Sequence, residues 1–246
     1  MKVLFVITAR GGSKGIPGKN IKTVGGIPLI AYKIISAKRC RYNCRIIVST
    51  DDENIASVAR KYGAEVPFMR PKELAADTSD SMDVVMHALN WVIDSDPETY
   101  DYICLLEPSS PFATPNDLNK ALDCIVNTRA DTLLGMKEVE VSKDFIFELD
   151  EKGGLSLFYE SIKKMSTVRR QDQKPQYTMN GCMYIARVDY FIEQRSFHSV
   201  NSKPYIMPWE RSIEIDTEQD LKYAEYLVET GAIDLEEWGL SIGVNS

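Results

Sequence analysis

One short stretch near the N-terminus concentrates residues able to do chemistry. Thr8-Ala9-Arg10-Gly11-Gly12-Ser13-Lys14-Gly15-Ile16-Pro17-Gly18-Lys19-Asn20 interleaves four glycines with three cations and two hydroxyls, directly after an apolar run. Glycines at the end of a strand let backbone N–H groups approach an anion closely. Arg10, Lys14 and Lys19 add charge, and Ser13 adds a donor. By composition the stretch is a cradle for phosphate groups. Spacing decides which kind. A P-loop needs Gly-x4-Gly-Lys followed by Ser or Thr; here Gly12 and Gly18 stand one residue too far apart, and Asn20 occupies the place of the magnesium-holding hydroxyl. The dinucleotide pattern GxGxxG is absent, and Pro17 disfavours an immediate helix.

The charge pattern points the same way. The first fifty residues hold ten Lys and Arg and no acid, so the rest of the chain, with 19 basic and 36 acidic residues, carries −17 of a net −7 overall. Such asymmetry invites an anionic ligand at the N-terminal segment, while the net charge argues against general nucleic-acid binding. Lys33, Lys38, Arg39 and Arg41 read as ordinary solvent-facing cations; Arg10, Lys14 and Lys19, set among glycines, do not. Arg70, ahead of Pro71, reads either as a ligand-binding group or as a surface residue before a turn. Asp216 reads either as a metal ligand or as the cap of the helix that follows it. Asp51-Asp52 reads as a helix start rather than a metal pair.

These groups need elements to hold them. Residues 2–8 predict a buried strand; 45–50, 65–69, 102–106, 131–136 and 184–186 predict further strands. Helices are predicted over 29–38, 54–61, 81–93, 116–128 and 217–228, the last opening with Thr217-x-x-Asp220, which resembles a capping box. Strands alternating with helices indicate an α/β fold with a mainly parallel sheet covered on both faces. Ligands in such folds sit beyond the carboxyl ends of the strands, where loop 10–20, Asp51-Asp52, Arg70 and loop 107–111 all fall. Residues 137–180 are more polar and read as an extension, a lid or an oligomer contact, within a single domain of 246 residues. Five cysteines at irregular spacing, with only His87 and His198 beside them, read as reduced core thiols rather than a zinc site. No stretch approaches the roughly 18 apolar residues of a membrane span, and the opening segment lacks the features of a signal peptide, so a cytoplasmic protein is expected.

From Ala9 to Asn20 the loop resembles, residue by residue, the signature of the acylneuraminate cytidylyltransferase family. Further motifs follow in that family's order: Ile47-Val48-Ser49-Thr50-Asp51-Asp52; Arg70-Pro71 with Asp77-Thr78-Ser79; Leu105-Leu106-Glu107-Pro108-Ser109-Ser110-Pro111; Asn180-Gly181-Cys182-Met183-Tyr184; and Ile213-Glu214-Ile215-Asp216-Thr217. The resemblance implies a three-layer, Rossmann-like nucleotide-diphospho-sugar transferase fold with a small dimerisation extension. It implies a homodimer that uses CTP, a magnesium or manganese ion and an acidic nine-carbon sugar, with no nucleic-acid or membrane partner. It implies that Arg10, Gly11, Ser13, Lys14, Lys19 and Asn20 hold the triphosphate and that Arg70 and Ser81 read cytosine and ribose. Glu107, Ser109, Asn180 and Tyr184 would face the sugar, Asp216 with Glu214 would hold the metal, and Arg10, Lys19 and Asp216 would carry the catalysis.

Four departures from the family pattern mark this chain. Glu107 stands where Gln is usual, Ala113 where Arg is common, Glu214 where the first Asp of the metal pair stands, and Thr178-Met179 where Arg-Pro often precedes Asn-Gly. Lys143, Arg169 or Arg170 are the candidates to meet the sugar carboxylate in its place. The competing readings are a cytidylyltransferase for another sugar, such as the eight-carbon KDO, and a catalytically inactive nucleotide-binding relative. The KDO enzymes usually carry Arg-x-x-Ser-Thr-Arg-Leu-Pro-Gly-Lys, which Gly11-Gly12-Ser13-Lys14-Gly15 does not resemble.

Overall fold

A computed structural model describes residues 1–13, 15–76, 79–95, 98–141, 143, 146–156 and 174–240. The first strand, β1 (Lys2–Thr8), is apolar from Val3 to Ile7, and those five residues are wholly buried. A strand with no polar face needs cover on both sides and neighbours on both edges. β1 has parallel neighbours β4 (Asn43–Ser49) and β5 (Tyr102–Leu106). The six-stranded sheet runs β10-β6-β9-β5-β1-β4, adding β6 (Thr132–Glu138), β9 (Tyr177–Arg187) and edge strand β10 (Ser202–Ile206). β9 is antiparallel to both β5 and β6, and β10 is parallel to β6. Pro204, which has no N–H to give a ladder, sits on that outer strand. Two small hairpins, β2 (Thr23–Val24) with β3 (Ile27–Pro28) and β7 (Glu148–Leu149) with β8 (Leu155–Ser156), lie outside the sheet.

Helices α1 (Leu29–Lys38), α2 (Glu53–Tyr62) and α4 (Pro115–Thr128) cover one face, where Ile30, Ile34, Ile55, Leu118 and Leu122 join the inward residues of the strands. α3 (Ser81–Ser95) and α5 (Val188–Gln194) cover the other, through Val85, Leu89, Val92 and Phe191. Local chemistry sets the boundaries. Asp52 caps α2, its carboxylate accepting from the Asn54 and Ile55 N–H groups, as the Asp51-Asp52 reading expected. Thr114 and Asp117 form a capping box on α4, and Thr217 and Asp220 form one on α6 (Glu218–Glu229).

A third apolar cluster packs α6 and the C-terminal Leu235 and Trp238 against the outer side of α1, through Leu29, Tyr32 and Phe112. Helix α1 is therefore covered twice, by the sheet and by the C-terminal layer. That corrects the reading of Lys33 as a solvent-facing cation: it is wholly buried, whereas Lys38, Arg39 and Arg41 are exposed. A second correction concerns 65–69, which is no strand; only Glu65 bridges to Ile47, and the chain then turns toward the site. A third concerns 184–186, the core of an eleven-residue antiparallel strand that starts at Tyr177. Cys40, Cys104 and Cys182 are buried, Cys44 and Cys124 half-buried, and all five are free thiols. Among the described residues no helix is long and apolar enough to cross a membrane.

Candidate active site

The carboxyl ends of β1, β4 and β5 open into a cleft of about 530 Å³. Ten of its sixteen lining residues come from three segments read from sequence: Thr8, Arg10, Ser13, Gly15, Lys19 and Asn20; Glu107, Pro108 and Ser109; and Asp216. Arg70, Leu74, Ala76, Ser79, Ser81 and Val84 complete the lining. The convergence follows from the parallel arrangement, since adjacent parallel strands all release their loops on the same side.

The glycine-rich loop is pinned at several points. The Gly11 N–H donates to Asp51 Oδ1 at 2.9 Å. The Asn20 side-chain amide donates to the Arg10 carbonyl at 2.9 Å, so Asn20 braces the loop as well as lining the cleft. Ile16 is wholly buried in the third apolar cluster. A side chain at Gly15 would bring Cβ to 2.3 Å from the Asp216 carbonyl oxygen, a close approach only glycine permits. That approach places Lys19 Nζ 2.8 Å from Asp216 Oδ1, across 197 residues of sequence. Asp216 does not cap α6. Thr217 does, with Asp220 accepting from the Asp216 and Thr217 N–H groups. The Asp216 carboxylate is left for Lys19 and the cleft, its side chain 63% exposed against 16% for Lys19.

On one wall Arg70 is buried, not a surface residue. Its Nε donates to Ser49 Oγ at 3.1 Å and its terminal nitrogen to the Ser49 carbonyl. Burial brings its guanidinium down to about 10, with Asp51 raising and Arg10 lowering it. Ser81, first residue of α3, lines the same wall.

The opposite wall is built around a wide β-bulge. β6 advances two residues, from Leu134 to Met136, while β9 spans five, from Met179 to Tyr184. Asn180, Gly181, Cys182 and Met183 thus lie outside the regular register, and Gly181 takes φ +68°. Asn180 is buried with its amide engaged: Nδ2 donates to Ser212 Oγ at 3.0 Å, and Oδ1 accepts from the Cys182 N–H at 3.1 Å. It shapes this wall from behind and is not among the residues lining the cleft. Burial first, then the charge of nearby Glu107, raises the Tyr184 phenol. Glu107 and Ser109 line the cleft directly. Burial, then the charge of Glu214, raises the Glu107 carboxyl, while Lys33 and Lys19 oppose the shift.

Ile213 and Ile215 are buried, and between and after them Glu214 and Asp216 are exposed. This period-two alternation puts both carboxylates on one side of an extended segment. The Ile215 N–H donates to the Ser109 carbonyl at 2.7 Å, tying this acidic segment to loop 107–111. Among the described residues no three acids, histidines or cysteines gather into a metal cluster. One or two hard carboxylate oxygens suit a magnesium ion that takes its remaining ligands from substrate phosphates and water. Lys14, Arg169 and Arg170 lie outside the described residues. Lys143 is described, but it borders a separate apolar groove with Val139, Val141 and Tyr177.

Lys33 is the functional candidate that sequence reasoning missed. The signal was present: α1 has almost no polar positions, with Tyr32, Lys33, Ile34, Ser36 and Ala37 all buried, and a helix apolar on all sides is covered on all sides.

The chain matches the family model described as Cytidylyltransferase over residues 4–236. It is 35% identical over 230 residues to the CMP-N,N'-diacetyllegionaminic acid synthase of Legionella pneumophila, covering 93% of this chain and 97% of that one. It is 35% identical to the pseudaminic acid cytidylyltransferase of Campylobacter jejuni, covering 92% and 96%. It is 30% identical to the N-acylneuraminate cytidylyltransferase of Escherichia coli, covering 91% of this chain and 51% of that longer protein. Among solved structures, a CMP-2-keto-3-deoxy-manno-octonic acid synthetase superposes with a TM-score of 0.67 at 16% identity, covering 94% of this chain and all of that one. The 4-diphosphocytidyl-2C-methyl-D-erythritol synthase of Anaerococcus prevotii does so with a TM-score of 0.60 at 16% identity, covering 92% and 98%. At that identity the two structures speak to the fold.

Proposed function

This chain belongs to the cytidylyltransferase family, and on that premise we propose that it joins CMP from CTP to the anomeric hydroxyl of a nine-carbon α-keto acid sugar, releasing pyrophosphate. The observation that carries the reading is the cleft in which Arg10, Lys19 and Arg70 face Glu107 and Asp216. Its cations suit a triphosphate, and its carboxylates and hydroxyls suit a metal ion and a polyol. Relatives at 30 to 35% identity bear the names of enzymes for legionaminic, pseudaminic and N-acylneuraminic acids, which supports this sugar class.

Transfer of this kind depends on positioning and charge neutralisation more than on a covalent catalyst. The sugar hydroxyl approaches the α-phosphorus in line with the departing pyrophosphate. Arg10, Ser13 and Lys19 hold the β and γ phosphates, and Lys19 and Arg10 take up charge as the α–β bridging bond breaks. The Lys19–Asp216 ion pair keeps both side chains extended toward the cleft. In the reacting complex Lys19 exchanges its carboxylate partner for a phosphate oxygen. Arg70 and Ser81 contact the base and ribose. Asp216, with Glu214 beside it, would hold magnesium or manganese, which neutralises phosphate charge when bound. Glu107 repels an anionic sugar unless it meets a donor; it therefore accepts from an amide N–H or hydroxyl of the substrate, away from the sugar carboxylate. The polar segment 137–180, with its exposed Val141, Ile146 and Leu149, is the proposed contact of a homodimer.

The test is pyrophosphate release with CTP and magnesium over a panel of legionaminic, pseudaminic, N-acylneuraminic, deaminated neuraminic and KDO substrates. Turnover confined to nine-carbon sugars is the expected result. Turnover with KDO alone, or CTP binding without turnover on any sugar, refutes the reading.

A further inference from the structure

Lys33 plays no direct part in this chemistry, yet it is wholly buried. Its Nζ donates to the Cys182 carbonyl at 2.8 Å. Cys182 belongs to the bulge that has left the ladder, so its backbone groups need other partners. Asn180 Oδ1 serves the N–H and Lys33 serves the carbonyl. The neighbouring Gly181 lies close against the site loop: a Cβ there would stand 2.5 Å from Ser110 Oγ and 3.4 Å from Glu107 Oε2.

Charge balance gives a second, independent argument. Burial disfavours the charged form of Lys33, and the groups whose charges oppose that shift are Cys182, Cys104, Glu107 and Asp117. Asp117 is already matched, by Arg211 at 3.0 Å and by the Tyr205 hydroxyl at 2.9 Å. Glu107 is the acid left to balance a buried ammonium, which without a counter-charge is strongly disfavoured in an apolar interior. Glu107 is also where this chain departs from the usual Gln.

We propose that Lys33 is a positioning residue for the sugar subsite: its ammonium holds the β9 bulge through the Cys182 carbonyl and balances the Glu107 carboxylate that faces the sugar. The inference rests on the reading of Glu107 as a sugar contact. It makes Lys33 and Glu107 one unit, so that an acid in the sugar subsite goes with a lysine in α1.

The test is a double-mutant cycle of Lys33→Met, Glu107→Gln and the two combined, read by melting and by steady-state kinetics. Each single variant leaves one buried charge unbalanced and should lower the Tm by about 4 °C or more. The double variant should lose clearly less than the sum of the two. Additive losses overturn the charge pairing. In kinetics, Lys33→Met should raise the sugar KM about tenfold while the CTP KM stays within about twofold. An unchanged sugar KM, or both KM values rising together as a merely structural role would produce, overturns the positioning role. If Lys33→Met does not fold, Lys33→Gln, which keeps an N–H donor without the charge, enters the same cycle. A parent protein that turns over no nine-carbon sugar refutes the functional reading instead, while the melting cycle still decides the coupling.

Discussion

The two walls of the cleft are assembled in different ways. On the proposed nucleotide side, the loop after parallel strand β1 carries Arg10 and Lys19 into the cleft, and Arg70 is bonded directly to Ser49 at the end of β4. On the proposed sugar side, the chain arrives on antiparallel β9, bulges out of register, and is held by its own Asn180 and by Lys33 of α1 and Ser212 from distant parts of the chain. The first wall is a set of local motifs on a rigid frame. The second is a product of long-range packing, and it holds Glu107, one of the departures of this chain from the family pattern. The difference suggests that nucleotide choice is built into the frame, while sugar choice can be retuned by changing a buried pair.

The comparison predicts separable kinetic signatures. The largest effect should come from Lys19→Ala: losing a charged donor at the departing phosphates lowers kcat/KM on the order of 100-fold or more, and near-normal turnover would break the assignment of that wall. Arg70→Ala should raise the CTP KM about tenfold with little change in sugar KM. It should also destabilise the fold by about 1–3 kcal/mol, because Ser49 loses its buried donor; an equal rise in both KM values would blur the two walls into one. Gly181→Ala should do the reverse, raising the sugar KM and sparing CTP, with a loss of about 1 kcal/mol or more from a side chain at positive φ. Steady-state kinetics and denaturant melts read both. Thr114→Ala, which removes the α4 cap, should lower stability by about 1 kcal/mol and leave both KM values alone.

The smallest effect is a pH slope. Burial, then the positive charge of Arg70, depresses the His87 imidazole. Its neutral form is favoured in the folded state, so its contribution is complete above about pH 6.5 and fades as pH falls through the lower folded value. Between pH 8 and pH 5 the parent protein should lose more stability than His87→Gln. Parallel melting curves would show that His87 titrates normally.

The parallel half of the fold was legible because its signals are short-range. The apolar run of β1, the glycines and cations after it, and the capping chemistry of Asp52 and Thr217 all lie within a few residues of what they determine. The Asn180-Gly181 motif was legible as a motif but not as a bulge, since the bulge exists only in the pairing with β6. Asn180 is legible as a motif residue, but its burial and its bonds to Ser212 and Cys182 arise only in the folded bulge. Lys33 looked like surface because a cation on a helix usually is; the second cover over α1 comes from residues some 200 positions away, through Trp238, whose indole donates to Ser36 at 2.7 Å. Asp216 could be read as a cap or as a ligand, and only the bond from Thr217 to Asp220 frees it from capping.

The most direct test of the central claim is a crystal structure with CTP and magnesium bound. The triphosphate should lie along the 10–20 loop within hydrogen-bond reach of Arg10, Ser13 and Lys19, with the cytosine beside Arg70 and Ser81. A nucleotide bound elsewhere on the molecule, with the loop and the Lys19–Asp216 pair unchanged, would contradict it.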